Sequence, residues 1–173
     1  CPQLPVSPLK AADVIRRILK DWPAQSSTVM GSSLGGFYAT WAAAEHECAA
    51  VLLNPAVHPA RDLSNYIGVH PCWHDSAQFI ELKHRHIEEM KNLYVGRGLD
   101  CLSEADRSRS HSLTDPKRLL AVIAKGDELL DWREMHARYA WAQTYVLEVS
   151  DHGISDFSEH LHVVSDFLFG HRD

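Results

Sequence analysis

Val29-Met30-Gly31-Ser32-Ser33-Leu34-Gly35-Gly36-Phe37-Tyr38 is a short apolar lead into Gly-x-Ser-x-Gly, followed at once by an apolar helical pattern. The spacing predicts a strand, a sharp turn with Ser33 at its apex, and a helix that begins beneath the serine. Such a turn projects the hydroxyl above the sheet, and its crowded flanks are expected to tolerate little beyond glycine, here Gly31 and Gly35. The first N–H groups of the helix lack intrahelical partners and sit at its positive dipole end. The Leu34 N–H is therefore expected to donate to a negatively charged oxygen developing at the reacting centre. Ser33 becomes the candidate nucleophile and Leu34 the candidate oxyanion donor.

Outward from this stretch, Ser7-Pro8 reads as a helix start, with Ile15, Ile18, Leu19 and Trp22 on one face of a helix over about Pro8 to Asp21. The serine turn leads into a helix through about His46 that is apolar nearly all round and so expected to be buried. Cys48 to Leu53 is a continuous apolar run of strand length, as a central parallel strand covered on both faces requires, and Asn54-Pro55 stops it. Strand, helix, strand in that order predicts a right-handed crossover. From Val57 to about Pro116 the chain turns polar and histidine-rich and is expected to form a cap over the sheet's carboxyl edge. One amphipathic helix is predicted there, about Ser76 to Tyr94, with Phe79, Leu82, Ile87, Met90 and Leu93 as its stripe, and Gly96 to Asp115 reads as a loop. The core pattern then resumes with a strand at Leu119 to Ala124, a helix at Asp131 to Ala140, a strand at Thr144 to Val149 and a helix at Asp156 to Phe169. Phe157, Leu161, Val164 and Leu168 are assigned to the buried face of that last helix.

A chain of 173 residues is most simply one domain, residues 1–173 with a cap-like excursion at about 57–116, and is long enough to bury a core without disulfides or metal. Its net charge of -6 argues against a nucleic-acid surface. The four cysteines, Cys1, Cys48, Cys72 and Cys101, form no Cys-x-x-Cys pair, which suits reduced thiols in a cytoplasm. No apolar run approaches the roughly 20 residues that cross a bilayer, so no membrane partner is expected.

A serine hydroxyl needs a base near neutrality and a group that orients the base. Asp127 follows the predicted strand ending at Ala124, and His152 follows the next strand, so a parallel sheet brings both to the edge that carries Ser33. Glu128 and Asp131 compete for the acid, but Asp131 is better placed to cap the helix at Trp132. His160 and His162 compete for the base but lie within a helix. The order Ser33, Asp127, His152 is that of an α/β-hydrolase. A rival reading is a metal site in the cap, since His70, Cys72 and His74 alternate and His84 and His86 are near. Two histidines separated by one residue on a helix point to nearly opposite sides, and no metal ligand is assigned. Tyr66 and Trp73 are the candidate residues lining an acyl pocket.

Gly31 to Thr40, Leu53-Asn54-Pro55-Ala56-Val57, Gly126-Asp127-Glu128-Leu129-Leu130-Asp131 and Asp151-His152-Gly153 together resemble the small bacterial esterases of the YqiA (UPF0227) family. The resemblance runs through most of the chain, including Cys1-Pro2-Gln3-Leu4-Pro5 and Tyr66-Ile67-Gly68. It implies an α/β-hydrolase three-layer sandwich with a mostly parallel sheet and a small helical cap. It also implies an enzyme without metal, and with no cofactor expected, hydrolysing carboxylic esters or acyl thioesters through an acyl-enzyme. Carried over position by position, its triad is Ser33, Asp127 and His152. Members of the family open with a strand ending in a His-Gly-Phe-like loop that supplies a second oxyanion donor; no such strand precedes Cys1, and the sequence is expected to be partial. The expected partner is a small ester or thioester. The alternatives are a non-catalytic hydrolase-fold binding protein and a metal-binding module in the His-rich cap.

Overall fold

The two continuous apolar runs become the middle of a parallel sheet. The computed structural model describes residues 1–72, 75–95 and 115–170, and the loop expected over Gly96 to Asp115 lies, but for its last residue, outside them. In chain order the elements are α1 (Pro8–Leu19), β1 (Thr28–Ser32), α2 (Leu34–His46), β2 (Ala49–Leu53), α3 (Pro59–Leu63), β3 (Gly68–Cys72), β4 (Asp75–Leu82), α4 (His84–Asn92), β5 (Leu119–Ala124), α5 (Trp132–Tyr139), β6 (Gln143–Leu147) and α6 (Phe157–Phe169). They fall into two compact units, Trp22–Val57 with Val95–Asp173, and Cys1–Asp21 with His58–Tyr94.

The first unit holds the sheet, in the order β1-β2-β5-β6 with every pair parallel. Parallel strands need crossovers, and the crossover helices cover both faces, so central strands must be apolar on both sides. All six residues of β5 and the first four of β2 are buried accordingly. Ala49, Val51, Leu120, Val122 and Ala124 pack with Val164 and Phe167 of α6. Alternation sends Ala50, Leu52, Ala121 and Ile123 to the other face. There α2 packs on β1 and β2 while α5 packs on β5 and β6, and the two helices are joined by a buried Thr40–Tyr139 hydroxyl hydrogen bond of 2.8 Å. Each fully buried Val, Leu or Ile contributes about 1.5–3 kcal/mol by leaving water. In α6 the inward residues are Val164 and Phe167, whereas Leu161, expected inside, is 53% exposed. The helix is apolar enough on two adjoining stripes that periodicity alone does not choose between them.

The second unit is built on α1, α3, the antiparallel β3-β4 hairpin and α4. Ser7 caps α1 as expected, its hydroxyl oxygen accepting from the Lys10 N–H, and the same hydroxyl donates to Glu89 on α4 at 2.6 Å. Burial works against the Glu89 carboxylate, but the Ser7 hydroxyl and the Leu9 N–H outweigh it and hold the acid below its ordinary range. The helix expected over Ser76 to Tyr94 is corrected: its first half is strand β4, paired with β3, and only His84–Asn92 is helical. Ile87, Met90 and Leu93 are buried as the stripe requires, but Phe79, which fell on the same helical spacing, is 66% exposed. A pairing partner in β3 decides the conformation of this segment, and local periodicity does not register it.

The glycines of the serine turn divide differently from expectation. A Cβ on Gly31 would lie 2.0 Å from the Gly35 carbonyl oxygen, and one on Gly36 would lie 2.7 Å from Pro55 Cβ. One on Gly35 would meet nothing within 4 Å, so the second crowded position is Gly36. In this chain Gly31→Ala and Gly36→Ala are expected to cost about 1–3 kcal/mol or more through overpacking. Gly35→Ala is expected to match or slightly exceed the parent, because alanine favours a helix. Chemical denaturation of the three variants checks the ranking.

Candidate active site

Because the four strands run parallel, their carboxyl ends share one edge, and the loops leaving them meet there. Ser33 leaves β1, Asn54 leaves β2, Asp127 lies three residues past β5, and His152 lies five residues past β6. All belong to the sheet unit.

Ser33 has φ 54 and ψ -122, a conformation that penalises any side chain. Its backbone is fixed from both sides. The Ser33 N–H donates to the Leu53 carbonyl at 2.9 Å, and the Ser33 carbonyl accepts from the Gly36 and Ala56 N–H groups at 2.9 Å. Leu34 is the first residue of α2, so its N–H is one of the donors that the helix itself cannot pair.

On the neighbouring loops, His152 Nδ1 lies 2.8 Å from Asp127 Oδ2, with the Asp127 side chain 0% and the His152 side chain 15% exposed. Asp127 Oδ1 accepts from the Leu129 and Leu130 N–H groups, both at 2.8 Å. A carboxylate only accepts, so in this hydrogen bond the imidazole Nδ1–H is the donor. Among the described residues no hydrogen bond joins the Ser33 hydroxyl to that ring. In resting acyl-transfer sites this contact commonly tightens only with substrate.

The rivals for acid and base take other work. Asp131 caps α5, accepting from the Arg133 N–H at 2.9 Å. Glu128 accepts from the His152 backbone N–H at 3.0 Å, a supporting contact that the sequence reading missed. His160 lies on α6 beside Asp156 at 3.1 Å, and His162 reaches the Glu159 carbonyl of the same helix. The loop that carries His152 has its own clamps. The Ser155 hydroxyl and then its N–H hold the Asp151 carboxyl below the ordinary range, and the Ser150 hydroxyl does the same for Asp156, with His160 adding to it.

Tyr66 sits in the other compact unit, 58% exposed, with its carbonyl 2.7 Å from His70 Nε2, and Trp73 lies outside the described residues. Of the histidine-rich set, His70 and Cys72 are on β3 and His84 and His86 on α4, with His86 buried; His74 lies outside the described residues. Among the described residues no three His, Cys, Asp or Glu side chains are grouped to hold a metal. No helix among them is long and apolar enough to cross a membrane.

A parallel sheet whose first strand breaks into a helix through a strained serine, with an acid–histidine pair on later loops of the same edge, is the architecture of the α/β-hydrolases. Solved structures of that class superpose on it. Est1E from Butyrivibrio proteoclasticus, with ferulic acid bound, gives a TM-score of 0.60 at 17% identity, covering 94% of this chain and 66% of its own. A monoacylglycerol lipase from Paleococcus ferrophilus gives 0.58 at 14% identity, covering 94% and 75%. An α/β superfamily hydrolase from Oenococcus oeni gives 0.55 at 13% identity, covering 96% and 76%. The chain belongs to the family described as Uncharacterised protein family (UPF0227), whose model matches residues 1–169.

Two outcomes test this edge. Ser33→Gly removes the side chain that makes φ 54 costly, so it should be more stable than Ser33→Ala by roughly 1 kcal/mol in urea unfolding. Asp151 and Asp156 titrate lower folded than unfolded. Their contribution is complete above the ordinary carboxylate range and is lost as pH falls through their depressed values. Unfolding free energy below about pH 4 should therefore rise less steeply with pH in Asp156→Asn than in the parent.

Proposed function

We propose that this chain is a serine hydrolase of carboxylic esters or acyl thioesters, working through a Ser33–His152–Asp127 triad. The observation that carries the reading is the His152–Asp127 hydrogen bond on the sheet edge where the Ser33 turn also ends. Membership of UPF0227 and the likeness to esterase and lipase folds support it.

Ser33 Oγ attacks the substrate carbonyl carbon while His152 Nε2 takes the hydroxyl proton. The carbonyl π electrons move onto oxygen, which the Leu34 N–H faces as charge develops. Asp127 keeps the ring in the Nδ1–H tautomer and stabilises the imidazolium that forms. Collapse of the tetrahedral species expels the alcohol or thiol, which leaves with the proton from His152, and Ser33 is acylated. Water then attacks the acyl-enzyme, giving its proton to His152, and collapse releases the acid and returns that proton to Ser33.

The test is hydrolysis of p-nitrophenyl butyrate and of a butyryl thioester, together with labelling by a fluorophosphonate. The parent should turn over and label. Ser33→Ala should do neither, with turnover down by at least about 10³-fold, and Asp127→Asn should fall by about 10²–10⁴-fold with its fold intact. Unchanged turnover in Ser33→Ala, or a folded parent that neither labels nor hydrolyses either substrate, overturns the assignment.

A further inference from the structure

One fully buried polar side chain on the sheet edge has no part in the chemistry above. Asn54 is 0% exposed and follows β2 directly at φ 41. Its amide nitrogen donates to the Asp151 carbonyl at 3.0 Å and to the His152 carbonyl at 2.9 Å. Its amide oxygen accepts from the Ala124 N–H, at the end of β5, at 2.7 Å. Its backbone N–H donates to the Val122 carbonyl at 2.9 Å. The residues beside it in sequence grip the serine turn: Leu53 accepts from the Ser33 N–H, and Ala56 donates to the Ser33 carbonyl, each at 2.9 Å.

The two carbonyls that Asn54 engages belong to the peptide planes on either side of the His152 Cα. Fixing both planes fixes the direction of the His152 Cα–Cβ bond, and the Glu128 carboxylate completes the hold by accepting from the His152 N–H. A bond to any other part of the loop would tether the loop without aiming the ring. The same side chain reaches β5 three residues before Asp127, so acid and base loops are referenced to one point. Only a carboxamide supplies two donors and an acceptor in this compact fork: aspartate lacks the donors, serine has one, and leucine has none.

The geometry points to Asn54 as a positioning residue that orients His152 toward Ser33 from behind the loop. This rests on the reading of Ser33 and His152 as nucleophile and base. Asn54 acts through His152 and touches neither substrate nor reacting atoms.

Asn54→Gly is the variant of choice, since glycine adopts φ 41 without strain while losing the amide. Turnover is expected to fall roughly 10–100-fold with KM within about twofold, as a misaimed base predicts. In a His152→Ala background the same change should leave the residual turnover unaltered, because nothing remains to aim. If the two losses instead multiply, or if folded Asn54→Gly keeps parental kcat, the positioning role is overturned. A second readout needs no substrate: the downfield proton resonance of His152 Nδ1–H bonded to Asp127. It should weaken or vanish in Asn54→Gly and persist in Tyr139→Phe, which loses a buried hydrogen bond to Thr40 away from this edge. A parent without hydrolase activity sinks the proposed function while the resonance still decides for or against Asn54: unchanged in Asn54→Gly, it refutes the role. Should glycine not yield folded protein, Asn54→Asp keeps the shape and the acceptor toward Ala124 but lacks the donors, and the same outcomes apply.

Discussion

Ser33 is held where its own backbone would not stay. A side chain at φ 54 and ψ -122 costs on the order of 1–3 kcal/mol, and it persists only where surrounding structure over-determines it. Here the restraint comes from the partner strand and from the helix that follows. Leu53 and Ala56 bond the two sides of the Ser33 peptide, which requires β2 to end level with β1, as the Ser32–Leu53 register shows. The start of α2 is seated by Gly36 against Pro55, and the helix is buried continuously from Gly36 to Ala43. Burial of α2 and β2 therefore offsets the strain at the turn, and a loosened core would be felt first at the serine.

A parallel register carries that constraint across the sheet. Ser32 is level with Leu53, Leu53 with Val122, and Ala124 with Leu147, so the exits of all four strands present their loops side by side. The loops then need polar fastening, since irregular backbone at a buried edge leaves N–H and C=O groups without sheet partners. Asp127 serves that need as well as orienting the histidine. Its carboxylate, wholly shielded from water, takes two backbone N–H groups and the imidazole N–H. A buried carboxylate without such donors would be strongly disfavoured, so the acid is local scaffold and ring holder at once.

What could be read in the sequence was whatever is local and repeated. β5 fills Leu119 to Ala124 as its apolar run indicates, and the serine turn announces itself by glycine spacing. The order of serine, acid and histidine along the chain matches the order of the strand exits. What escaped depends on contacts distant in sequence. β4 is a strand because β3 pairs with it, and α1 joins the 58–94 segment through a Ser7–Glu89 bond spanning 82 residues. Gly36 rather than Gly35 is the crowded glycine because of Pro55, whose position depends on where β2 stops. Asn54 read as a strand terminator, and Asn-Pro after a buried strand gave only that signal; its amide bonds reach residues 70 and 97 to 98 positions away.

Among the described residues, four non-glycine positions have positive φ: Ser33, Glu47, Asn54 and Ile154. Glu47 closes α2 in the left-handed cap that helices commonly use. The other three lie on the loops of one sheet edge. Glycine would relieve the backbone at each, so the side chains must supply something glycine lacks. Ser33 carries the hydroxyl, and Asn54 carries the fork that satisfies two carbonyls and an N–H. Ile154, β-branched and so more strained than either, lies on the loop that bears His152 and is buried in the core cluster with Val164 and Phe167. The three positions thus use their side chains differently, with a hydroxyl at the first, an amide fork making three hydrogen bonds at the second and core packing at the third. Among the described residues, no positive φ falls within β2 or β5 themselves, so the left-handed positions begin where the strands stop and the loops must turn.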